Sequence, residues 1–482
     1  MIRFAVDDVI RATGATLVTG DATTCFEGVS IDSRAVPEGG MFVAFAGERV
    51  DGNRFVAGAL GNGASVAVAT AAPSEEALAA AEASGGAILR AANDDGEEFM
   101  LRLAQAWCAA NPQWIVVGVT GSVGKTTTKE MLAAGIGALK RVHATSGNFN
   151  NLLGVPLTLF AASAEDEVLV VEMGMNNAGE LERIVRAARP NVAVITNVGT
   201  SHIGNLGSRE GIARAKAEVV SGLMDCDACE ATLVLSDGDD YADFITRTFA
   251  EPAGVRVLRV GGRSTTVRAT SVALDDDGMA SVSVEVCGDD AAMQTLEGTL
   301  SLPGRAMVYD LLSALGAIVA LGLPCDAPFD AICAMKAAHM RMEVRQEGDS
   351  ARVIDDTYNA SPSSMAAALD VLCSMRCEGR RVAVLGEIGE LGDQSAHLHG
   401  LVGAYAAAKP IDLLVLIGTG DARHMAEAAT TMGFSEDKLE RFDTVADAAR
   451  VMVPLFGPND LVLVKASRAA ELDAFSKEVL GA

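Results

Sequence analysis

One glycine-rich segment, Gly118-Val-Thr-Gly-Ser-Val-Gly-Lys-Thr-Thr-Thr128, constrains the fold of this chain more than any other stretch. It overlaps the end of an apolar run, Trp114–Thr120, and opens a helical pattern, Lys125–Ile136. A strand that turns through glycines directly into a helix commits the chain to a parallel sheet covered by helices. Backbone N–H groups in such a turn gather at the helix N-terminus and cradle phosphate. Lys125 would reach the β- and γ-phosphates, and a threonine hydroxyl would hold magnesium. The strict spacing puts glycine at position 119, where Val119 stands, so Gly121 and Gly124 form the essential pair.

The βα alternation continues beyond the loop. Glu167–Glu172 reads as a strand, Glu180–Ala188 as a helix closed by Pro190, Val192–Asn197 as a strand and Ile212–Leu223 as a helix. From 255 to 302 the pattern becomes polar–apolar alternation with Asp/Gly turns, which predicts an antiparallel insert or flanking sheet. A second βα series follows Pro324, with strands at Arg352–Asp356, Arg381–Leu385, Leu413–Ile417 and Leu461–Val464. No GxGxxG follows any of them, so a bound dinucleotide is not indicated. Upstream, short β-like runs (Met41–Ala46, Ser65–Ala69) mix with small helices, including a surface helix over Thr70–Ala83. A longer helix, Glu97–Ala110, is stopped by Asn111-Pro112. The expected fold is α/β in three domains: a small N-terminal α/β domain over 1–94, a central phosphate-loop domain of mostly parallel sheet with an antiparallel insert over 95–323, and a doubly wound, Rossmann-like domain over 324–482. A chain of 482 residues fits two to four domains of about 150 residues each.

Charge and cysteine usage narrow the function. The net charge of −26 argues against a nucleic-acid binder and against adhesion to anionic membranes. A few cations and a metal can still reverse the field inside a cleft, so an acidic substrate fits. The longest uncharged apolar run, Leu311–Leu323, is shorter than the roughly 20 residues a membrane helix needs and reads as a buried helix. Asp7 and Asp8 argue against a secretory leader. Nine scattered cysteines suit reduced thiols in a cytosol, and the isolated Cys226-Asp-Ala-Cys229 has no second pair at zinc-finger spacing.

Three strand ends carry groups suited to one crevice. Glu172 ends the strand beside the phosphate loop, where a carboxylate is well placed for magnesium. His202, one of six histidines, follows the next strand in Thr-Asn-Val-Gly-Thr-Ser-His and points to a second metal ligand. Lys216, on a helix in Ala-Arg-Ala-Lys-Ala-Glu, reads by itself as a solvated lysine. In the last third, Asp355-Asp-Thr-Tyr-Asn-Ala-Ser-Pro362 closes a strand. Its carboxylates suit a ribose, a metal or a phosphate-linked cation; the alternative is that the segment is a polar turn capping the helix near Ser363. Arg341, Arg345 and Lys465-Ala-Ser-Arg468 are cations on the same edge, consistent with an acidic ligand held between domains.

Along nearly its whole length the chain resembles the ATP-dependent Mur ligases of peptidoglycan synthesis. The resemblance is carried by Ile31-Asp-Ser-Arg34, Met41-Phe-Val-Ala-Phe-Ala-Gly-Glu48 with Asp51-Gly52, the phosphate loop, and Gly147-Asn-Phe-Asn-Asn-Leu-Leu-Gly-Val-Pro156. It continues through Val171-Glu-Met-Gly174, Ile195-Thr-Asn-Val-Gly-Thr-Ser-His202 and Ala215-Lys-Ala-Glu218. It ends in Asp355–Pro362, Leu385-Gly-Glu-Ile-Gly-Glu-Leu-Gly392, His399 and Lys465–Arg468. The Asp355–Pro362 segment looks like that of the dipeptide-adding member. The resemblance implies a cytoplasmic, monomeric enzyme that uses ATP to join D-alanyl-D-alanine to UDP-N-acetylmuramoyl-tripeptide through an acyl phosphate. A sister Mur ligase, a folylpolyglutamate synthase and a P-loop ATPase switch module are the alternatives.

Residue roles follow from the resemblance by position. It implies that Ser33 and Arg34 contact the uridine diphosphate, and that Gly121, Ser122, Val123, Gly124, Lys125, Thr126 and Thr127 bind ATP. Thr126 and Glu172 would hold magnesium. His202 would hold a second magnesium with Lys216, which carries a CO₂-derived carbamate and so is not a solvated cation. Lys125, His202 and Lys216 form the implied catalytic set. Asn150 and Asn151 would face substrate and γ-phosphate. Asp310, Arg341 and Asp356 would meet the nucleotide, and Asn359, Lys465, Ser467 and Arg468 the substrate. Two departures stand out. The family's Gly-Arg-His-Asn-x-x-Asn appears as Gly304-Arg-Ala-Met-Val-Tyr-Asp310, and Asn53 stands where His is more usual. An ionised Asp310 accepts from an adenine amino group but does not donate to a ring nitrogen.

Overall fold

The apolar runs Ile115–Thr120, Val168–Glu172 and Val192–Ile195 are buried almost throughout, so they lie side by side inside a sheet with helices on both faces. The computed structural model describes residues 1–47, 50–287 and 293–481. Glu48, the last residue of the Met41–Glu48 segment, lies outside the described residues. The central sheet has nine strands. Val142–Ala144, Val168–Glu172, Ile115–Thr120, Val192–Ile195, Thr232–Ser236 and Arg256–Val260 run parallel in that spatial order. The antiparallel flank begins at Val267, not 255: Arg256–Val260 pairs parallel with Thr232–Ser236, and only Val267–Leu274, Met279–Cys287 and Met293–Pro303 form antiparallel ladders. The apolar run starting at Leu311 lies in the helix Ala306–Ala320, which packs against the phosphate-loop helix Lys125–Gly137 on one face of this sheet.

A five-stranded sheet (Thr16–Thr19, Ala87–Arg90, Val66–Ala69, Met41–Val43, Val29–Ser30) forms the N-terminal layer. Its helix starts at Glu75 and not at Thr70, because Ser74 supplies the N-cap by accepting from Ala77 N–H. The helix Gly96–Ala110 ties this layer to the central one: Trp107 Nε1 donates to Leu159 O (3.1 Å), and its ring meets Phe4 and Trp114 edge-on. The expected helix Ile212–Leu223 begins at Arg209, capped by Ser208, and tightens into a 3₁₀ turn at Glu218–Gly222. The C-terminal sheet runs Glu343–Arg345, Arg352–Asp355, Leu461–Lys465, Arg381–Gly386, Leu413–Ile417, Leu439–Phe442, parallel except for the first strand. Its two edge strands, short and partly polar, carry little periodic signal and were not among the expected strands. Among the described residues no helix is long and apolar enough to cross a membrane.

Candidate active site

The strand Ile115–Thr120 breaks at Gly121, whose φ of +148° no other residue type adopts easily. A Cβ there would strike Thr196. Gly124, at φ +85°, opens the helix, and a Cβ there would strike Asp310. The loop is clamped by the next strand end. Ser122 N–H donates to Asn197 O (3.1 Å), Val123 N–H to Asn197 Oδ1 (3.1 Å), and Asn197 Nδ2 returns a bond to Val123 O (2.9 Å). Gly199 N–H and Ser201 Oγ donate to Ser122 Oγ (2.9 Å) and Ser122 O (3.1 Å). This leaves a preformed rim of backbone N–H groups at a helix N-terminus, the geometry that accepts phosphate.

Side chains from several elements converge on that rim. Thr126 Oγ1 donates to Glu172 Oε2 (2.8 Å), and Asn150 Nδ2 donates to Glu172 Oε1 (2.7 Å). Glu172 is 2% exposed, and its backbone N–H is fixed by Thr145 Oγ1 (2.9 Å). Lys125 Nζ lies back on Gly121 O (2.8 Å). Burial pulls the Lys125 ammonium below its ordinary value, the charges of Glu172 and Glu390 hold it up, and Arg341 adds to the lowering. His202 sits at φ +63° with Nδ1 2.6 Å from Glu390 Oε2. Lys216 is 1% exposed, which overturns the solvated reading of the residue taken alone. Burial, and then the charge of Lys125, push its amine well below the usual lysine value.

The donor set suits magnesium. Thr120 Oγ1 and Thr200 Oγ1 are buried at the same rim with no hydrogen-bond partner in the structure. With Thr126 and Glu172 they make the rim rich in hard oxygen donors, and His202 adds one imidazole. Among the described residues no three His, Cys, Asp or Glu side chains form a self-sufficient cage. Magnesium needs none: it keeps several waters and takes one or two carboxylates plus substrate phosphates.

Other expected residues are distributed more widely. Asn151 Oδ1 accepts from Leu153 N–H (3.2 Å) and Gly154 N–H (2.8 Å) just before the helix Gly154–Ala161, so its side chain is engaged locally. Arg341 stacks over the Tyr358 ring at 3.9 Å, a partner the sequence reading missed although Tyr358 lies inside the Asp355–Pro362 segment. Asp356 pairs with the buried Lys465 (2.5 Å), whose ammonium also donates to Asn359 O (2.9 Å). Arg345 turns to Glu347 and Ser467 Oγ to Glu387 O (2.7 Å), while Arg468 stays largely exposed beside Asp473. The turn does cap the helix that follows it, through a hydroxyl and not a carboxylate. Ser361 caps the helix Pro362–Ser374, and Asp355 accepts from Thr357. Ser33 and Arg34 lie on the N-terminal layer, Arg34 ion-paired with Asp32 (2.7 Å). His399 is fully buried between Ile388 N–H (2.9 Å) and Ser395 O (2.8 Å) and holds the strand-end loop that carries Glu390. Glu390 was legible by the same strand-end logic that selected Glu172 and His202.

Asp310 departs from the ionised acceptor expected of it. It is 7% exposed, accepts from Thr128 Oγ1 (3.2 Å) and lies against Gly124. Burial pushes its carboxyl up to about 8, the Thr128 hydroxyl opposing. Near neutral pH it is therefore protonated and can donate as an amide does. A carboxyl that holds its proton when folded and loses it when unfolded makes stability fall as pH rises from about 4 to about 8. Asp310→Asn is expected to remove that slope. Its Tm advantage over the wild type should grow from pH 5 to pH 8, and parallel Tm curves would contradict the buried acid.

Comparison with known proteins agrees along the whole chain. Residues 119–318 match the model of the Mur ligase middle domain, 340–468 the Mur ligase glutamate ligase domain and 26–105 the Mur ligase family catalytic domain. The UDP-N-acetylmuramoyl-tripeptide–D-alanyl-D-alanine ligase of Bacillus subtilis is 32% identical, covering 100% of this chain and 99% of that protein. A crystal structure of MurF from Acinetobacter baumannii superposes with TM-score 0.87 at 28% identity, covering 100% of both chains. MurF ligase from Thermotoga maritima, in complex with ADP, superposes with TM-score 0.77 at 26% identity over 94% of this chain and 97% of that one.

Proposed function

The chain belongs to the Mur ligase family, and from that premise we propose that it uses ATP to join D-alanyl-D-alanine to UDP-N-acetylmuramoyl-tripeptide. The observation that carries the reading is the convergence of the phosphate loop, the Thr126–Glu172 pair, His202 and the buried Lys216 on one crevice. The full-length likeness to ligases of that name supports the choice of substrates.

In this reading the tripeptide carboxylate attacks the γ-phosphorus of ATP, the bond to the bridging oxygen breaks, and ADP leaves an acyl phosphate. The amine of D-alanyl-D-alanine then attacks the acyl carbon. Phosphate departs, the amine loses a proton and the amide forms. Two anions must approach in the first step. The N–H groups that Asn197 does not hold, at Gly124, Lys125 and the first turn of the helix, would bind the phosphates, and Lys125 would offset their charge. Thr126 and Glu172 would hold one magnesium, and His202 with carbamylated Lys216 a second; bound there, the metal neutralises phosphate oxygens. Asn150 orients Glu172. Arg341 on Tyr358, with Asp356, would meet the nucleotide from the C-terminal side. The C-terminal layer also shields the intermediate from water: Ser363 lies against Gly199, and Gly392 against Gly204. With its cysteines free, the enzyme fits a reducing cytoplasm.

The test is phosphate release with all three substrates, each omitted in turn. Release that requires all three supports the reading. Release without the amine or the uridine nucleotide points to a P-loop ATPase, and preference for another amino acceptor points to a sister ligase.

A further inference from the structure

His202 and Glu390 are non-glycine residues in the left-handed region, at φ +63° and +65°, and they face each other between the central and C-terminal layers. Such a conformation persists only where the surroundings over-determine it. Here Gly204 N–H donates to Glu390 O (3.1 Å), and Gln394 Nε2 donates to Gly207 O (3.4 Å). A Cβ on Gly204 would lie 2.7 Å from Gly392 N and 3.0 Å from Glu390 O, so the two segments are closely seated. His202 Nδ1 is buried and makes no hydrogen bond of good geometry in the structure, and the Glu390 carboxylate, 2.6 Å away, is the polar group that a small turn of the ring would bring into one. Glu390 also lies in the field of Lys125, which ties this contact to the phosphate loop.

We propose that Glu390 is a positioning residue: the C-terminal layer delivers it to His202, where it accepts the Nδ1–H proton in a hydrogen bond and leaves Nε2 to face a divalent cation. The proposal rests on the reading of His202 as a metal ligand. A carboxylate on the second nitrogen fixes tautomer and ring orientation and raises ligand basicity, an effect of ten- to hundredfold in metal affinity. Because the carboxylate and the imidazole come from different layers, cation binding and docking of the C-terminal layer are linked, each favouring the other.

The experiment uses the full chain with Mn²⁺ as the probe, free ion being counted by its paramagnetic resonance. His202→Ala locates the site. Glu390→Ala is expected to weaken it ten- to hundredfold, and Glu390→Gln, which keeps an acceptor oxygen without the charge, to fall between. Gly204→Ala, which wedges the segments apart without touching either side chain, is expected to weaken it as well. With ¹⁵N-histidine labelling, His202 is assigned by its disappearance in His202→Ala. It should carry its proton on Nδ1 in the wild type and average between tautomers in Glu390→Ala. Unchanged Mn²⁺ affinity in Glu390→Ala and Gly204→Ala, or a wild-type His202 protonated on Nε2, overturns the proposal. Unchanged Mn²⁺ binding in His202→Ala overturns the metal reading beneath it, a separate result.

Discussion

Lys216→Ala is expected to lower turnover by about 10²–10³-fold or more, as loss of a preorganised charge in a dry site does. Added formate or acetate should partly restore it. A lysine this buried (1% exposed), beside the charge of Lys125, is driven toward the neutral amine. The neutral amine is the form that attacks CO₂: the nitrogen bonds to carbon, a proton leaves to solvent, and a carbamate anion takes the place of the amine. The same Lys125 charge that disfavours an ammonium at this position favours the anion. Acidification reverses the reaction, so wild-type activity should fall as pH drops, while the formate-rescued variant should lack that step. With ¹³C-bicarbonate, a carbamate carbon resonance should appear in the wild type and be missing from Lys216→Ala. Full activity in the alanine variant, or no such resonance in the wild type, would refute the assignment.

The sequence displayed most of this site because parallel strands deliver their chemistry at their C-terminal ends. The apolar runs before Gly121, Glu172 and His202 are strong signals, and the crevice follows from placing their ends together. Contacts between distant segments were less legible. Thr128 with Asp310, His202 with Glu390 and Arg341 with Tyr358 depend on how helices and layers seat, which no local pattern encodes. Lys216 is the clearest case. Its neighbours Ala213, Ala215 and Ala217 are small enough to suit either a solvated or a buried face, and only tertiary packing decides between them. Asp310 shows the converse: the residue type suggested an ionised acceptor, and burial against Gly124 reverses its protonation.

Lys125→Ala is the other variant with a large expected effect, a loss of about 10²–10³ in kcat. The first chemical step brings a carboxylate onto a phosphoryl group that is itself anionic. Two unit charges 4 Å apart repel by about 4 kcal/mol at an effective dielectric near 20, so a cation between them removes much of the barrier. Lys125 is built to move into that role. Without ligand its ammonium is satisfied by Gly121 O at 2.8 Å, a bond within its own loop that an incoming phosphate can replace. Burial lowers its proton affinity, yet Glu172 and Glu390 counter this, and the triphosphate would add further support for the charged form. The loss should appear in kcat more than in the KM for the uridine nucleotide, because the extra charge develops in the transition state. Lys125→Arg should not recover it: the planar guanidinium is larger than the ammonium, and the loop is packed so closely that a Cβ on Gly121 or Gly124 would strike Thr196 or Asp310. Phosphate-release kinetics at saturating substrates measure the split, and a kcat within about threefold of the wild type in Lys125→Ala would remove this lysine from the phosphoryl-transfer step.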